Sequence, residues 1–357
     1  MKTQAAVAQN ANDPFIIEEV DLADPGEGEV RIKIAACGIC RSDLSALEGK
    51  ETVQFPLVLG HEAAGHVDAL GPGVNSLKEG DHVVLSWTPE CGTCAACRRN
   101  EVHLCSGINM TTGGEGGLSR GAEKLDRFMG LGAFCEHVVV PERMAVPLVS
   151  SLPSEHSCLI GCGLTTGFGA AANTAAIRWG ESVAVLGCGG VGLAAIQGAK
   201  IAGAARIIAI DPIVQRRDAA TRVGATDAMA PDDVARQVMK LTAGGVDCAI
   251  ECVGSIPTMQ DAFNMTREGG RTVVVGLPAY TEMLEIPAIM LLREKKLTGS
   301  IYGSATPHVD FARFAALGES GQLDFASLVD KTRHFSEINE GFAEMREGLL
   351  TRVVLTF

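Results

Sequence analysis

The sequence predicts an α/β protein in which a domain with a doubly wound parallel sheet is joined to a second, β-rich domain. From about Gly163 onward, strand-like apolar segments alternate with segments of helical length, which is typical of parallel sheets with crossover helices. Before that point, short alternating segments are separated by turns at 24–26 and 71–73, which favours strands. At 357 residues, the chain is long enough for two domains of ordinary size.

The predicted elements follow in order along the chain. In the first part we predict strands at 15–20, 29–35, 58–65, 80–86 and 134–140. In the second part we predict strands at 182–186, 206–210, 245–253, 271–276 and 297–301, the last three each preceded by a helix-length segment. Beyond residue 302, a helix at 309–318 and a strand-like tail at 352–357 return the chain to the first part. The predicted domains are therefore 1–163 with 302–357, and 164–301 between them.

Residues 182–211 have the pattern of strand, tight turn, helix and strand, with three glycines in the spacing G-x-G-x-x-G. Gly187 permits the sharp turn, Gly189 lets a pyrophosphate approach the backbone, and Gly192 lets the helix lie close to the sheet. The free N–H groups at the start of the helix then face an anion. This stretch predicts a dinucleotide-binding site.

An acidic residue sets the expected choice of dinucleotide. Asp211 lies 19 residues after the last glycine of the fingerprint. Its carboxylate would accept hydrogen bonds from the adenosine ribose hydroxyls and repel a 2′-phosphate, which favours NAD. NADP stays the alternative because Arg216 and Arg217 are near, and an arginine there can hold the extra phosphate.

Composition excludes several classes of partner. The formal net charge of −13 argues against nucleic acid or an anionic membrane surface. The N-terminus lacks the apolar core of a signal peptide, and no uninterrupted apolar run reaches the length of a membrane span. Twelve cysteines without an export signal suggest reduced thiols that serve as metal ligands or as core packing. We expect a cytoplasmic protein.

Four cysteines are close together in the sequence. Cys91, Cys94, Cys97 and Cys105 have the spacing C-x2-C-x2-C-x7-C within a glycine-rich and polar lobe, about 91–105. Four thiolates can surround one tetrahedral ion and leave no open position, which predicts a structural zinc. Disulfides are disfavoured by the expected compartment. An iron–sulfur cluster also takes four thiolates, but no other redox feature accompanies them.

A second set of candidate ligands is dispersed. Cys40, His61 and Cys162 together would match a catalytic zinc site with one position open for water or substrate. Taken singly, a buried cysteine is usually small apolar packing, and a lone histidine is usually a satisfied core group. Spacing alone cannot bring the three residues together.

Five segments carry a resemblance to a known family: CGICRSD (37–43), GHEAAGHV (60–67), CGTCAACRRNEVHLC (91–105), IGCGLTTGFGAA (160–171) and LGCGGVGLAAIQGAKIAGAARIIAID (186–211). Together they resemble the zinc-dependent medium-chain alcohol dehydrogenases, nearly end to end and including RVVLTF at 352–357. The resemblance implies a GroES-like β-rich catalytic domain, a Rossmann NAD-binding domain, and two zinc ions per chain.

The resemblance assigns the catalytic zinc to Cys40, His61 and Cys162. Glu62 would lie behind the metal. Asp43 would hydrogen-bond the other nitrogen of His61, an arrangement that fixes the tautomer and raises the basicity of a ligand.

The resemblance also implies the chemistry. Ser42 would take the proton from a zinc-bound alcohol, and the resulting alkoxide would give a hydride to the nicotinamide. Many family members have a histidine three residues after this serine, and here that position is Ser45. Because Ser45 cannot act as a base at neutral pH, we expect the proton relay to end in a water chain.

Cofactor contacts are carried over in the same way. Arg41 and Arg352 match the arginines that grip the pyrophosphate, while Thr166 and Val191 match positions that touch the nicotinamide. The full expected set is Arg41, Thr166, Gly187, Gly189, Gly190, Val191, Gly192, Asp211, Arg216, Val275 and Arg352.

The expected substrate pocket is apolar. By alignment with the family it resembles, its lining would be Ser42, Trp87, Phe128, Met129, Leu277 and Ile301, with Glu51 and Met110 nearer the mouth. Core packing is the alternative interpretation of these side chains. Apolar walls suit aliphatic or aromatic alcohols rather than sugars or polyols.

The resemblance therefore implies an NAD-dependent zinc alcohol dehydrogenase that oxidises an apolar primary alcohol, or a secondary one, to the aldehyde or ketone. Thiol-dependent formaldehyde dehydrogenases of the S-hydroxymethylglutathione type have similar segments and are the alternative. A non-catalytic NAD-binding structural or sensor protein is the alternative from another class, but it would not need the zinc ligands together with Ser42 and Asp43. Because the family pairs its NAD domains, we expect a homodimer, with a homotetramer as the alternative.

Overall fold

The computed structural model describes residues 1–88, 90–107, 117–279, 281–348 and 350–357. The chain forms two compact units, a first unit of residues 1–162 and 306–357 and a second unit of residues 163–305. Among the described residues, no helix is both long enough and apolar enough to cross a lipid bilayer.

Nineteen strands occur in the described residues. They are β1 (Lys2–Ala8), β2 (Ile16–Leu22), β3 (Glu29–Ile39), β4 (Leu57–Val58), β5 (Glu62–Leu70), β6 (His82–Leu85), β7 (Leu118–Arg120), β8 (Glu123–Lys124), β9 (Asp126–Arg127), β10 (His137–Pro141), β11 (Ala145–Pro147), β12 (Ser182–Leu186), β13 (Arg206–Ile210), β14 (Asp227–Met229), β15 (Val246–Glu251), β16 (Thr266–Val274), β17 (Lys296–Gly299), β18 (Lys331–His334) and β19 (Val353–Thr356).

The α-helices of the described residues are fewer. They are α1 (Arg41–Leu47), α2 (Ala95–Arg98), α3 (Ser154–Ser157), α4 (Gly163–Gly169), α5 (Gly190–Ile201), α6 (Val214–Val223), α7 (Val234–Leu241), α8 (Ile256–Met265), α9 (Pro307–Glu319) and α10 (Ile338–Glu347).

The first unit is built from two mainly antiparallel sheets. In the described part of the chain, one sheet has the strand order β8-β7-β2-β1-β4-β9. The other has the order β11-β6-β5-β3-β19-β18, and β10 also pairs with β3. Strand β3 is long enough, at 11 residues, to pair with three strands, β5, β10 and β19, and it is therefore central in this sheet. Its carboxyl end leads directly into α1, and this connection carries the first candidate metal ligand.

The second unit contains the predicted parallel sheet. Its described strands follow the order β14-β13-β12-β15-β16-β17, and every pair is parallel. Side chains from β12, β13, β15 and helices α7 and α8 form one apolar core, which includes Leu186, Ile208 and Val238. Parallel strands that are covered on both faces have continuous apolar sequences. Strands β12 and β13 occupy the predicted ranges 182–186 and 206–210 residue for residue.

Three local predictions were wrong or incomplete. The strand predicted at 58–65 is two strands, β4 and β5, separated at residues 59–61. The helix expected before the strand at 297–301 is not an α-helix, because the described residues between β16 and β17 contain only a short 3-10 segment, Ala288–Arg293. Helix α10 was not predicted at all.

Candidate active site

The three dispersed candidate ligands meet in the first unit. Cys40 follows β3 and is the N-cap of α1, His61 lies between β4 and β5, and Cys162 ends the first segment of the unit. One donor atom from each residue lies within 4.8 Å of the donors of the other two. All three side chains are buried. Folding therefore assembles a set of two thiols and one imidazole that the spacing alone did not predict.

The break between β4 and β5 is caused by Gly60. Its φ of +94° is strained for residues with a side chain. A Cβ at this position would lie 2.6 Å from the backbone nitrogen of Phe134. The amides of Ala133 and Phe134 donate to the carbonyls of Gly60 and Leu59, at 2.8 and 2.9 Å. A neighbouring turn thus takes the place of a pairing strand and fixes the backbone that carries His61.

Asp43 connects the segments that supply two of the candidate ligands. Its carboxylate accepts hydrogen bonds from the backbone amides of Cys40, at 3.0 Å, and Gly60, at 2.9 Å. His61 Nδ1 lies 3.1 Å from Asp43 Oδ1. When the imidazole proton is on Nδ1, it is donated to this carboxylate, and Nε2 is left as the donor for a metal.

Nε2 of His61 is the atom that tests whether a metal fits. It is buried and has no hydrogen-bond partner among the described residues. Burial of an unsatisfied ring nitrogen is unfavourable, and a metal ion would remove the deficit. Two cysteine sulfurs and one imidazole nitrogen suit zinc and leave its fourth tetrahedral position open. The donor set therefore fits a catalytic type of zinc site.

Without a metal, the electrostatics of the site favour a thiolate at Cys40 and a protonated ring at His61, and a metal would have to displace that proton to bind Nε2. The hydrogen bond from the Cys162 thiol lowers the pKa of Cys40, and the same contact raises the pKa of Cys162. Burial lowers the pKa of His61, but the charges of Asp43 and Cys40 outweigh it, so that the pKa is raised. One of the two thiols is thus readily a thiolate, which is the form that binds metal ions.

A buried ion pair lies beside this site. Arg352 Nη1 is 2.7 Å from Glu62 Oε2 and donates to the carbonyl of Ile39 at 3.0 Å. Burial lowers the pKa of Arg352, but the charges of Glu62 and Cys40 outweigh it and raise the pKa. The sequence did not predict this partner of Arg352. The contact of Arg352 with a pyrophosphate stays a prediction.

The four clustered cysteines form a second candidate metal site. Their sulfurs lie within 4.8 Å of one another. Backbone amides point at the sulfurs: Cys91 donates to Cys105 Sγ, and Cys94 to Cys91 Sγ, both at 3.3 Å. The amide of Cys97 and other donors lower the pKa of Cys94 to about 5. All twelve cysteines are free thiols, so the disulfide alternative is not formed, and the donor set fits a closed tetrahedral zinc.

The glycine fingerprint runs from the carboxyl end of β12 into the first turn of α5. Gly187 has a φ of +87°, and a Cβ on Gly192 would lie 1.8 Å from the carbonyl oxygen of Gly187. In contrast, a Cβ on Gly189 would meet no atom within 4 Å. Packing therefore explains two of the glycines, whereas the open space at Gly189 leaves room for a ligand beside the N-terminus of α5.

Asp211 lies in the same turn region. Its carboxylate accepts hydrogen bonds from the amides of Cys188 and Ile213, both at 2.9 Å. Arg216 Nη1 is 3.9 Å from Asp211 Oδ2. The acid thus fixes the fingerprint turn as well as presenting a carboxylate, a structural role that the spacing alone did not show.

The other expected cofactor contacts are divided between the units. Gly190 and Val191 begin α5, Thr166 lies half-buried in α4, and the amide of Val275 donates to the carbonyl of Glu251 at 2.8 Å. These residues belong to the second unit. Arg41, exposed at the start of α1, and Arg352 belong to the first.

Three expected pocket residues are buried in the first unit. Trp87, Phe128 and Met129 are 4%, 1% and 5% exposed. The Phe128 and His61 rings pack edge to face, with centroids 5.5 Å apart. Phe128 is therefore next to a candidate zinc ligand, and its role as a wall of the substrate pocket stays a prediction.

The remaining expected site residues lie elsewhere. Leu277 is exposed and Ile301 half-buried in the second unit. Ser42 is half-buried in α1, and burial raises the pKa of the half-buried Glu51. Met110 lies outside the described residues.

Comparisons with known proteins identify the family. Residues 26–150 match the model of the alcohol dehydrogenase GroES-like domain, and residues 190–319 match that of zinc-binding dehydrogenase. The NDMA-dependent alcohol dehydrogenase of Amycolatopsis methanolica is 40% identical, over 99% of this chain and 99% of its own. The chain belongs to the zinc-dependent medium-chain alcohol dehydrogenases.

This dehydrogenase is similar to relatives with different names. The S-(hydroxymethyl)glutathione dehydrogenase of Synechocystis sp. is 36% identical over 100% of both chains. The crystal structure of benzyl alcohol dehydrogenase from Acinetobacter calcoaceticus has a TM-score of 0.95 at 30% sequence identity, and covers 100% of this chain and 99% of that one. The predicted combination of a Rossmann domain with a GroES-like domain is confirmed, as is the oxidoreductase class.

Proposed function

We propose that this dehydrogenase oxidises apolar aliphatic or aromatic primary alcohols, and secondary alcohols more slowly, to the aldehyde or ketone with NAD. The observation that carries the proposal is the buried group of Cys40, His61 and Cys162, whose Nε2 has no hydrogen-bond partner among the described residues. Phe128 packs against the His61 ring of this group in an edge-to-face arrangement. A three-donor site beside an aromatic wall suits an alcohol with an apolar substituent.

Each residue near the site has a definable part in the reaction. Bound zinc would supply a Lewis acid that favours deprotonation of the alcohol, and NAD would accept the hydride. Asp43 holds the ring of His61 by Nδ1 and so keeps Nε2 available. Ser42, two residues after Cys40, would accept the proton of the substrate hydroxyl and release its own proton to water, since Ser45 cannot store one.

The choice of NAD rests on the position of Asp211. Its buried carboxylate is held by two amides at the fingerprint turn. A 2′-phosphate would meet this charge, whereas ribose hydroxyls could donate to it. Arg216 is near enough to Asp211 for the carboxylate to neutralise part of the charge of the guanidinium. The attraction of Arg216 for a 2′-phosphate is therefore weaker.

A thiol-adduct substrate is the second candidate, because the Synechocystis relative is named S-(hydroxymethyl)glutathione dehydrogenase. The buried walls contributed by Trp87, Phe128 and Met129 are apolar and favour a free alcohol over a charged tripeptide adduct. We therefore give the free alcohol precedence.

The test is a substrate panel on the purified protein. Ethanol, butanol, benzyl alcohol and a secondary alcohol are each offered with NAD, and so is a mixture of formaldehyde and glutathione. NADH formation with free benzyl alcohol supports the proposal, whereas turnover of the thiol mixture alone overturns it. Parallel assays contain added NDMA, because the Amycolatopsis relative is named as dependent on it. If an alcohol is turned over only with NDMA, the first assay lacked an electron acceptor; if it is turned over in neither assay, the alcohol is not a substrate.

We also propose that the protein is a homodimer, with a homotetramer as the alternative. Strand β17 is an edge of the parallel sheet, and the segment before it exposes Met283, Ile289, Leu291 and Leu292. An apolar strip beside a free strand edge is typical of a surface that another chain covers. Leu292→Lys should dissociate the assembly in analytical ultracentrifugation, while the control Trp179→Lys, at another exposed apolar residue, should not.

The location in the cell stays a proposal as well. Twelve free thiols, four of them grouped as candidate metal ligands, suit a reducing compartment. We propose the cytoplasm, which cell fractionation with a specific antibody would check.

A further inference from the structure

The turn at residues 128–132 follows β9 and carries two of the pocket residues, Phe128 and Met129. Three of its residues have a positive φ: Met129 at 52°, Gly130 at 71° and Gly132 at 61°. A left-handed backbone is unfavourable for methionine, so the surrounding structure must stabilise this conformation.

This turn is connected to the candidate metal site in two ways. Phe128 packs against the ring of His61, with centroids 5.5 Å apart. The next residue along, Ala133, donates its amide to the carbonyl of Gly60, immediately before His61. A shift of the turn would therefore change both the wall of the pocket and the surroundings of His61.

Arg127 supports the turn from the residue before it. The side chain is 3% exposed, and Nη1 donates to the carbonyl of Val139 in β10 at 2.6 Å. A Cβ on Gly132 would lie 3.0 Å from Cβ and from Cγ of Arg127, so the aliphatic part of the arginine packs directly under the end of the turn. The side chain thus links β9, β10 and both ends of the turn.

The hydrogen bond to Val139 does not satisfy the whole buried guanidinium group of Arg127. Its Nε has no hydrogen-bond partner, and it forms no ion pair with a carboxylate of the described residues. Burial lowers the pKa of Arg127 to about 10, although Glu29 and Asp126 act in the opposite direction. A buried cation without a paired charge is unfavourable for stability, and a well-packed apolar side chain is often better tolerated at such a site. Stability alone therefore does not explain an arginine here.

We propose that Arg127 is a positioning residue that fixes the 128–132 turn and thereby sets the size of alcohol that the site accepts. Only its effect on substrate choice rests on the proposed function. The effect on the metal site follows from the contacts of the turn with His61 and Gly60.

The first test compares Arg127→Met with the wild type. Methionine keeps the packing under Gly132 and removes the charge and the bond to Val139. We expect the ratio of kcat/KM for benzyl alcohol to that for ethanol to change by about tenfold, while the Tm is unchanged or higher. Arg127→Lys keeps a cationic donor and should restore most of the wild-type ratio. Gly132→Ala, which presses on Arg127 from the other side, should change the ratio in the same direction as Arg127→Met.

Arg120→Met is the matched control. Arg120 lies on β7 of the same sheet but is partly exposed and paired with Glu18 and Glu123, so its replacement should leave the ratio unchanged. If Arg127→Met also leaves the ratio within about twofold of the wild type, whatever happens to the Tm, the positioning role is refuted and Arg127 is only a packing residue.

A second readout needs no substrate. Co²⁺ is substituted for zinc at the site of Cys40, His61 and Cys162, and its ligand-field absorption reports the ligand geometry. Arg127→Met should shift these bands and Arg120→Met should not, and unshifted bands in Arg127→Met would count against the proposal. If the wild type oxidises no alcohol, the proposed function fails and the cobalt spectra alone decide the role of Arg127.

Discussion

The exchange of Asp43 for asparagine is the sharpest test of how the metal site is built. In the wild type, Oδ2 accepts the amide of Cys40, while Oδ1 accepts the amide of Gly60 and faces His61 Nδ1. An asparagine side chain has nearly the same shape but only one acceptor oxygen. If its oxygen faces Gly60 and His61, its NH₂ group faces the N–H of Cys40. If the amide is turned round, its NH₂ group faces two donors instead, the N–H of Gly60 and the Nδ1–H of His61.

The magnitude follows from this geometry. At least one hydrogen bond to a charged, fully buried acceptor is lost, and such bonds contribute about 1.5–3 kcal/mol. Since about 1.4 kcal/mol corresponds to a factor of ten, zinc affinity should fall about 10- to 150-fold. This range agrees with the roughly 10- to 100-fold losses that follow removal of groups behind metal ligands.

The assay is competition for zinc with a chelator of known affinity, with the two zinc ions counted separately. In Asp43→Asn, the Kd for the zinc held by Cys40, His61 and Cys162 should be about 10- to 150-fold higher than in the wild type. The Kd for the zinc of the four-cysteine lobe should be unchanged. Asp310→Asn is the matched control, because Asp310 is also buried and accepts the amide of Thr306 at a helix start, in the same unit. Equal zinc retention by both variants and the wild type would refute the reasoning.

Three further predictions concern other parts of the chain. Asp211→Gly should raise the ratio of kcat/KM with NADP to that with NAD by at least about tenfold, because the carboxylate that opposes a 2′-phosphate is removed and Arg216 is released; an unchanged ratio in steady-state assays would exclude this role. As the pH is lowered, the turnover of the wild type should begin to fall at a higher pH than that of Ser45→His, because serine cannot hold the relayed proton. Coinciding pH–rate profiles of the two proteins would contradict the water-chain relay. Hydrogen bonds from Arg333, and then from Lys331, lower the pKa of Glu344 from 4.5 to about 2. The stability that this pair contributes is therefore present above pH 4.5 and lost as the pH falls toward 2, so the Tm difference between the wild type and Glu344→Gln should shrink over that interval; a constant difference would disprove the ion pair.

The second unit was the most predictable part from sequence. Strands β12 and β13 are buried on both faces, so their sequences are continuous apolar runs with clear ends. Gly187 in the turn after β12 and Gly192 in the first turn of α5 are recognisable because no side chain fits at either position. The dinucleotide fingerprint is therefore a local property that the sequence carries almost completely.

The metal site was less predictable because its causes are not local. The break at Gly60 depends on Phe134, whose backbone occupies the space of a side chain, and nothing in the segment 58–65 indicates that contact. The pair of Glu62 and Arg352 joins residues nearly three hundred positions apart. Family resemblance supplied the ligands Cys40, His61 and Cys162 and the contact of Asp43 with His61, but not the hydrogen bonds by which Asp43 also holds the amides of Cys40 and Gly60. Arg127 had no sequence signal, since an arginine at the end of a short strand is normally exposed.

The late position of Arg352 in the chain has a consequence for biosynthesis. Cys40, His61 and Cys162 have all been made before the second unit is synthesised, whereas Arg352 and its neighbouring strand β19 follow it. Until then Glu62 has no counter-ion from this arginine, and β3 has no partner along the edge that β19 later covers. A nascent chain can thus present its metal donors to the cell's zinc pool before the sheet around them is complete. The synthesis of the metal donors and the synthesis of the strand that completes their sheet are separated in time by the synthesis of the entire second unit.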